Sequence, residues 1–215
     1  MTESDTSTTS PWRIIVDRAV GHGGEALWPE YFTPRVLADL RRQLGQVLFS
    51  AQYLNEPLGF DDGLFRPEWI AYAPRPKTGG VVTQGVDPAI SLRPDADEFA
   101  LVTVAEGDGG ALVVVDAFHG RLDFSRQIAT IESMADRWRP ARIVIETVAY
   151  QQALRQELHR RGHLPVRGVR PGESKAARAL RLAARMEAGK VAFARGLYDL
   201  EAQLLAFPRG ERDDL

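Results

Sequence analysis

From Val81 onward the chain alternates short apolar runs with helix-length segments, and the lengths of the connections between them decide what it can fold into. Three runs, 81–87, 99–105 and 111–116, lie close together. The polar stretch Ser91 to Glu98 joins the first two, and Gly107-Asp108-Gly109-Gly110, a hairpin turn signal, joins the second to the third. Beyond them Phe124 to Trp138 places Ile128, Ile131, Ala135 and Trp138 on one helical face, and Pro140 closes it. Ala141 to Glu146 is a fourth strand, whose apolar run suits a central parallel position. A second helix, Gln151 to Arg161, turns Leu154 and Leu158 inward and stops at Gly162. Leu164 to Val169 is a fifth strand, and Ser174 caps a third helix that runs to Ala188.

Hairpins make antiparallel neighbours, whereas helical crossovers require parallel strands and right-handed connections. The order strand, strand, strand, helix, strand, helix, strand, helix therefore predicts an α/β fold: a mixed five-stranded sheet flanked by helices, the ribonuclease H-like layout. In that layout the first and fourth strands are neighbours, and their carboxyl ends approach to about 5 Å of backbone separation. Asp87 ends the first strand, stopped at once by Pro88, and Glu146 ends the fourth. Either acid alone is what any strand end offers to water. Side by side, they are hard oxygen ligands suited to two Mg²⁺ or Mn²⁺ ions about 3.5–4 Å apart, the arrangement that activates a water and stabilises a pentavalent phosphate.

The flanks are less periodic. Residues 1–10 are Ser/Thr-rich and read as a disordered tail, and residues 12–16 as a short strand. Thr33 and Pro34 are the cap and first turn of a helix expected to end near Gly45. Residues 11–80 are read together as an arm packing its aromatics on a domain formed by 81–215. Near the other end, Leu200 to Phe207 suits a helix or an extended packing element, and Asp213-Asp214 is the nearest source of a third acid.

A net charge of −2 hides an asymmetry: Arg137 to Arg195 carries 14 Lys/Arg against four acids, a net +10. Such a segment is either the footprint of a polyanion or a set of solvated arginine-rich helix faces. Within it Lys175, Arg178, Arg181 and Arg185 recur at helical spacing on one side, opposite Ala176, Ala179, Leu180, Ala183 and Met186. A basic row of this kind would grip phosphates without regard to sequence, and the solvated face is again its plain alternative.

Several chemistries are excluded. Gly189-Lys190 lacks the rest of a phosphate-binding loop, since Ala184 and Val191 break the pattern, so no ATPase motif is present. His22, His119, His159 and His163 form no His-Glu-x-x-His pattern, and the absence of cysteine removes disulfides and thiolate sites. There is no Gly-x-Ser-x-Gly elbow. No apolar run approaches the roughly 18 residues of a membrane span, and Met1-Thr2-Glu3-Ser4-Asp5 is no export signal, so a cytoplasmic protein is expected.

Several stretches together resemble the C-terminal nuclease domain of the large terminase subunit of tailed bacteriophages. They are Leu27 to Phe32, Phe49 to Pro57, Gly85-Val86-Asp87-Pro88-Ala89, Ile145-Glu146-Thr147, Lys175 with Arg178, and Leu204 to Asp214. The resemblance implies a Mg²⁺- or Mn²⁺-dependent endonuclease that cuts concatemeric viral double-stranded DNA when a capsid begins and finishes filling. It matches Asp87 and Glu146 to two of the family's metal ligands and Asp214, with Asp213 as neighbour or substitute, to the third. It also implies as partners DNA, a separate terminase ATPase, the small terminase subunit and the portal. Two departures stand out: the family's ATPase domain is absent, and the chain stops at Leu215, where the family continues into a further helix. A junction resolvase or RNA–DNA hybrid nuclease of the same fold, and a non-catalytic DNA-binding packaging module, are the alternatives.

Overall fold

A computed structural model describes residues 16–21, 23–56, 63–75, 80–89, 98–146, 151–162, 164–170 and 172–208. The chain divides into two units, Met1–Leu58 and Gly59–Leu215. The tail read over residues 1–10, and the acids Asp213 and Asp214, lie outside the described residues.

In the first unit α1 spans Pro34–Tyr53. The Thr33 hydroxyl accepts a hydrogen bond from the Val36 N–H at 3.3 Å, closing one of the otherwise unmet donors of the first turn. The expected end at Gly45 is a kink instead. Gly45 takes φ 73°, which only glycine adopts cheaply, and the helix then resumes to Tyr53. Phe49 and Tyr53 in the resumed part stack at 5.2 Å between centroids. The apolar content of that segment extends the helix past its glycine.

The second unit holds β1 (Ala71–Tyr72), β2 (Val82–Asp87), β3 (Phe99–Glu106), β4 (Leu112–Gly120), α2 (Phe124–Trp138), β5 (Arg142–Glu146), α3 (Gln151–Arg161), β6 (Val166–Val169), α4 (Lys175–Glu187), β7 (Val191–Phe193) and α5 (Tyr198–Ala206). The sheet runs β1-β7-β4-β3-β2-β5-β6. The five predicted strands lie at its centre and one end. Two short additions, β7 parallel to β4 and β1 parallel to β7, widen it to seven. Strands of two and three residues carry no readable alternation, and only their pairing defines them.

Antiparallel pairing joins β2 to β3 and β3 to β4, while β5 lies parallel to both β2 and β6. One face is covered by α2 and α3. Val86, Phe99, Leu101, Ile128, Ile131, Ala135, Ile143, Ile145, Leu154 and Leu158 form its core. The start of α2 is set by Asp123, whose carboxylate accepts from the Arg126 N–H at 2.8 Å; its end is Arg139 in the left-handed region, just before Pro140. Ile131 is wholly buried in this core. Ile131→Ala is expected to cost about 3 kcal/mol, lowering the thermal midpoint by roughly 6–12 °C. A fall of less than about 2 °C by circular dichroism would contradict that packing.

A polar row crosses the same face. Gln84, fully buried on β2, donates to the Thr103 hydroxyl at 3.2 Å. Opposite Thr103 on β4, Asp116 accepts from the Trp138 indole N–H at 2.7 Å and pairs with Arg137 at 3.1 Å. These bonds tie the end of α2 to the sheet, since a buried amide or indole left unpaired costs about 1–3 kcal/mol. No described helix is long and apolar enough to cross a membrane.

Candidate active site

The opposite face of the sheet carries the acids. In β2 the burial alternates, with Gln84 and Val86 buried and Gly85 and Asp87 exposed. In β5 Ile143 and Ile145 are buried, while Val144 and Glu146 are only partly so. The parallel register pairs Gly85 with Val144 and Val86 with Ile145. One step further, Asp87 and Glu146 stand at neighbouring strand ends and project from the face away from α2 and α3. The predicted adjacency of the first and fourth strands is thus observed. Gly85 is exposed, and no atom of a described residue lies within 4 Å of where a Cβ there would stand.

One cationic side chain, Arg178, approaches the pair from α4. Ser174 caps that helix, accepting from the Ala177 N–H at 3.2 Å, and Ala183 and Met186 are its buried residues. Lys175, Arg178, Arg181 and Arg185 are all exposed, as their spacing predicted; Ala176, expected on the inner side, is exposed too, because it lies on the first turn, where that side is not yet covered. The four do not form one uniform row. Arg178 lies 3.8 Å from the Glu146 carboxylate, and Arg181 is paired with Glu173. Arg178 is therefore placed beside Glu146.

On the other side of Asp87 the structure adds a cluster that the sequence pattern does not single out. Asp87 pairs across the sheet with Ala100, and Ala100 with His119, so Asp87 and His119 share a face two strands apart. Glu98, just before β3, is 7% exposed and binds the His119 Nδ1 at 2.9 Å and the Arg121 guanidinium at 3.0 Å. Paired with Arg121, the Glu98 carboxylate accepts from Nδ1–H, which turns Nε2 toward Asp199 at 3.8 Å. The cross-strand position of Glu98 and Arg121 was the available signal, but it depends on a register that a bulge sets.

Asp87 and Glu146 fit a hard divalent cation in three respects: oxygen donors only, adjacent strand ends and one shared face. Among the described residues no group of three or more acids or histidines converges as a metal site. The third candidate, Asp213 or Asp214, lies outside those residues.

A mixed sheet in this order, with helices against it and paired acids at the ends of its first long strand and of that strand's parallel neighbour, defines a ribonuclease H-like protein. Residues 84–214 match the terminase RNaseH-like domain, and the chain belongs to that family. The fold is shared with the large terminase nuclease from thermophilic phage G20c with bound magnesium, at TM-score 0.55 and 17% identity over 72% of this chain and 92% of that one. The zinc-bound form of the G20c nuclease gives 0.53 and 18% over 68% and 88%. The large terminase from another thermophilic bacteriophage, in complex with ATP-gamma-S, gives 0.62 and 8%, over 80% of this chain and 44% of that one. The chain thus spans less than half the length of that large terminase, though most of the G20c nuclease. No sequence among curated proteins matches it.

Proposed function

We propose that this chain is a metal-dependent endonuclease that cuts double-stranded viral DNA during genome packaging. The observation that carries the reading is the pair Asp87 and Glu146, brought to neighbouring strand ends on one face in a terminase-family fold. Magnesium and zinc bound to the G20c nuclease support a divalent requirement. Two Mg²⁺ or Mn²⁺ ions held by Asp87, Glu146 and one of Asp213 or Asp214 would supply an activated water and neutralise the leaving oxygen. The chain's own groups do the rest. Arg178 meets phosphate charge beside Glu146, the remaining α4 cations Lys175, Arg181 and Arg185 hold the duplex, and the exposed face at Gly85 admits it. A terminase ATPase, the small terminase subunit and the portal are the partners that such a nuclease would serve.

The test is plasmid nicking by the purified chain. Supercoiled DNA is expected to be nicked with Mn²⁺ or Mg²⁺ and left intact with a chelator, with activity restored when the ion is returned. Cutting that persists at full rate in excess chelator would remove the metal from the reading. Faster cutting of four-way junctions or RNA–DNA hybrids than of plain duplex would reassign the substrate within the same fold.

A further inference from the structure

A second basic surface lies off α4, at the β6 edge of the described sheet. The cleft between α3 and the edge strand β6 has a volume of about 630 Å³ and is lined by Arg155, Gln156, His159, Arg160, Val166 and Arg167, among others. Its charges are not internally balanced. Glu157 is taken by two arginines, holding Arg160 through two bonds of 2.9 and 2.8 Å and Arg161 at 3.0 Å, and Arg161 also binds Glu132. Those hydrogen bonds hold the Glu157 carboxyl down at about 2, so it stays ionised and occupied at any working pH. Arg155 and Arg167 are both exposed and make no ion pair or side-chain hydrogen bond with a described residue.

Position matters as much as charge. The β5–β6 register pairs Val144 with Arg167 and Glu146 with Val169, which places Arg167 on the same face of the sheet as Glu146. One strand sideways and two residues along give a backbone separation of roughly 8 Å from Glu146. That distance is covered by two to three nucleotides at about 3.4 Å of rise each. Arg167 therefore stands at the sheet edge on the acid-bearing face, and Arg155, carried by α3 on the other side of that edge, lines the same cleft.

We propose that Arg155 and Arg167 form a second phosphate clamp for duplex DNA, holding the backbone where it leaves the Asp87–Glu146 face over the sheet edge. The proposal rests on the nuclease reading for its ligand. Uncommitted guanidiniums beside an open cleft suit phosphate oxygens, which they meet in bidentate geometry. The clamp is carried by α3 and β6, elements distinct from the α4 that bears the other cations, so it lengthens the track instead of duplicating it. An acidic protein segment adding to the β6 edge is the competing occupant.

The test compares the full chain with the double variant Arg155→Gln/Arg167→Gln, using fluorescence anisotropy of a 30-base-pair duplex (about that length suffices) between roughly 50 and 250 mM salt, without divalent metal. Two lost contacts should flatten the slope of log K against log salt by about 1.8, with the thermal midpoint unchanged. Affinity at about 100 mM salt should fall about tenfold or more, and Arg155→Lys/Arg167→Lys should recover most of the slope. An unchanged slope and affinity overturn the clamp. Nicking assays separate the two claims. If the Gln variant shows the flattened slope but the wild-type chain never nicks DNA, the clamp stands and the nuclease reading falls. If the wild-type chain nicks and the Gln variant binds DNA equally well, the nuclease reading stands and the clamp falls.

Discussion

Asp87→Asn is expected to reduce plasmid nicking by about 10³-fold or more while leaving the protein folded, which corresponds to roughly 4 kcal/mol of lost transition-state stabilisation. The exchange keeps the shape of the side chain and removes one carboxylate charge from the pair at the strand ends. Asp87 is exposed, so the substitution lies in the class that shifts stability by no more than about 0.5 kcal/mol. It also separates metal binding from folding. A ligand that binds only the native state raises the thermal midpoint by mass action, so Mn²⁺ should raise the wild-type midpoint and leave that of Asp87→Asn nearly unmoved. Nicking within threefold of wild type, or an undiminished Mn²⁺ shift, would take Asp87 out of the site.

Much of this arrangement was legible because it depends on connection lengths. A helix between two apolar runs forces them parallel, which placed β5 beside β2 and hence Glu146 beside Asp87. The boundaries of α2 and α3 were readable from their stop signals, Pro140 and Gly162. The strands β1 and β7 were not, because two or three residues carry no period and owe their strand geometry to the ladder they join. Gly45 misled for a related reason. A glycine after a helical run signals a stop, but here the apolar residues beyond it rebuild the helix after the kink.

The cluster around Glu98 was hidden by a single residue. Near the hairpin turn Val104 faces Val114 and Ala105 faces Val113, but between Thr103 and Val104 the register shifts, so Thr103 faces Asp116. Continuing the turn-proximal register would have set Ala100 opposite Phe118 and put that ring on the acid face. The bulge moves Phe118 back to the core beside Phe99, at 6.0 Å between centroids, and delivers His119 to the face of Asp87. It also brings Arg121 opposite Glu98, where their 3.0 Å contact forms. A bulge re-aims side chains beside a site without any mark in the hydrophobic pattern. The α4 cations show the converse: their exposure followed from spacing, but the neighbours that claim Arg178 and Arg181 are tertiary contacts that spacing alone does not reveal.

Gly85→Val should separate stability from activity in opposite directions. The residue sits in mid-strand, between Val102 on β3 and Val144 on β5, and a Cβ there meets no described residue within 4 Å. Its backbone is not in the left-handed region, so a β-branched side chain fits without strain. Replacing a strand glycine with valine between two cross-strand valines should stabilise the fold by about 0.5–1 kcal/mol, a rise of roughly 1–4 °C in the midpoint. Yet the new side chain stands on the acid-bearing face, two residues from Asp87 and hence about 7 Å along the strand. If duplex DNA must lie across that face to bring a phosphodiester to the carboxylates, valine lifts it away from them. Misplacement by about 1 Å costs on the order of 10²-fold, so nicking should fall by at least about 30-fold. Measured together, a higher midpoint and a large loss of cutting are expected; a stabilised variant that nicks at the wild-type rate would show that DNA does not approach over β2.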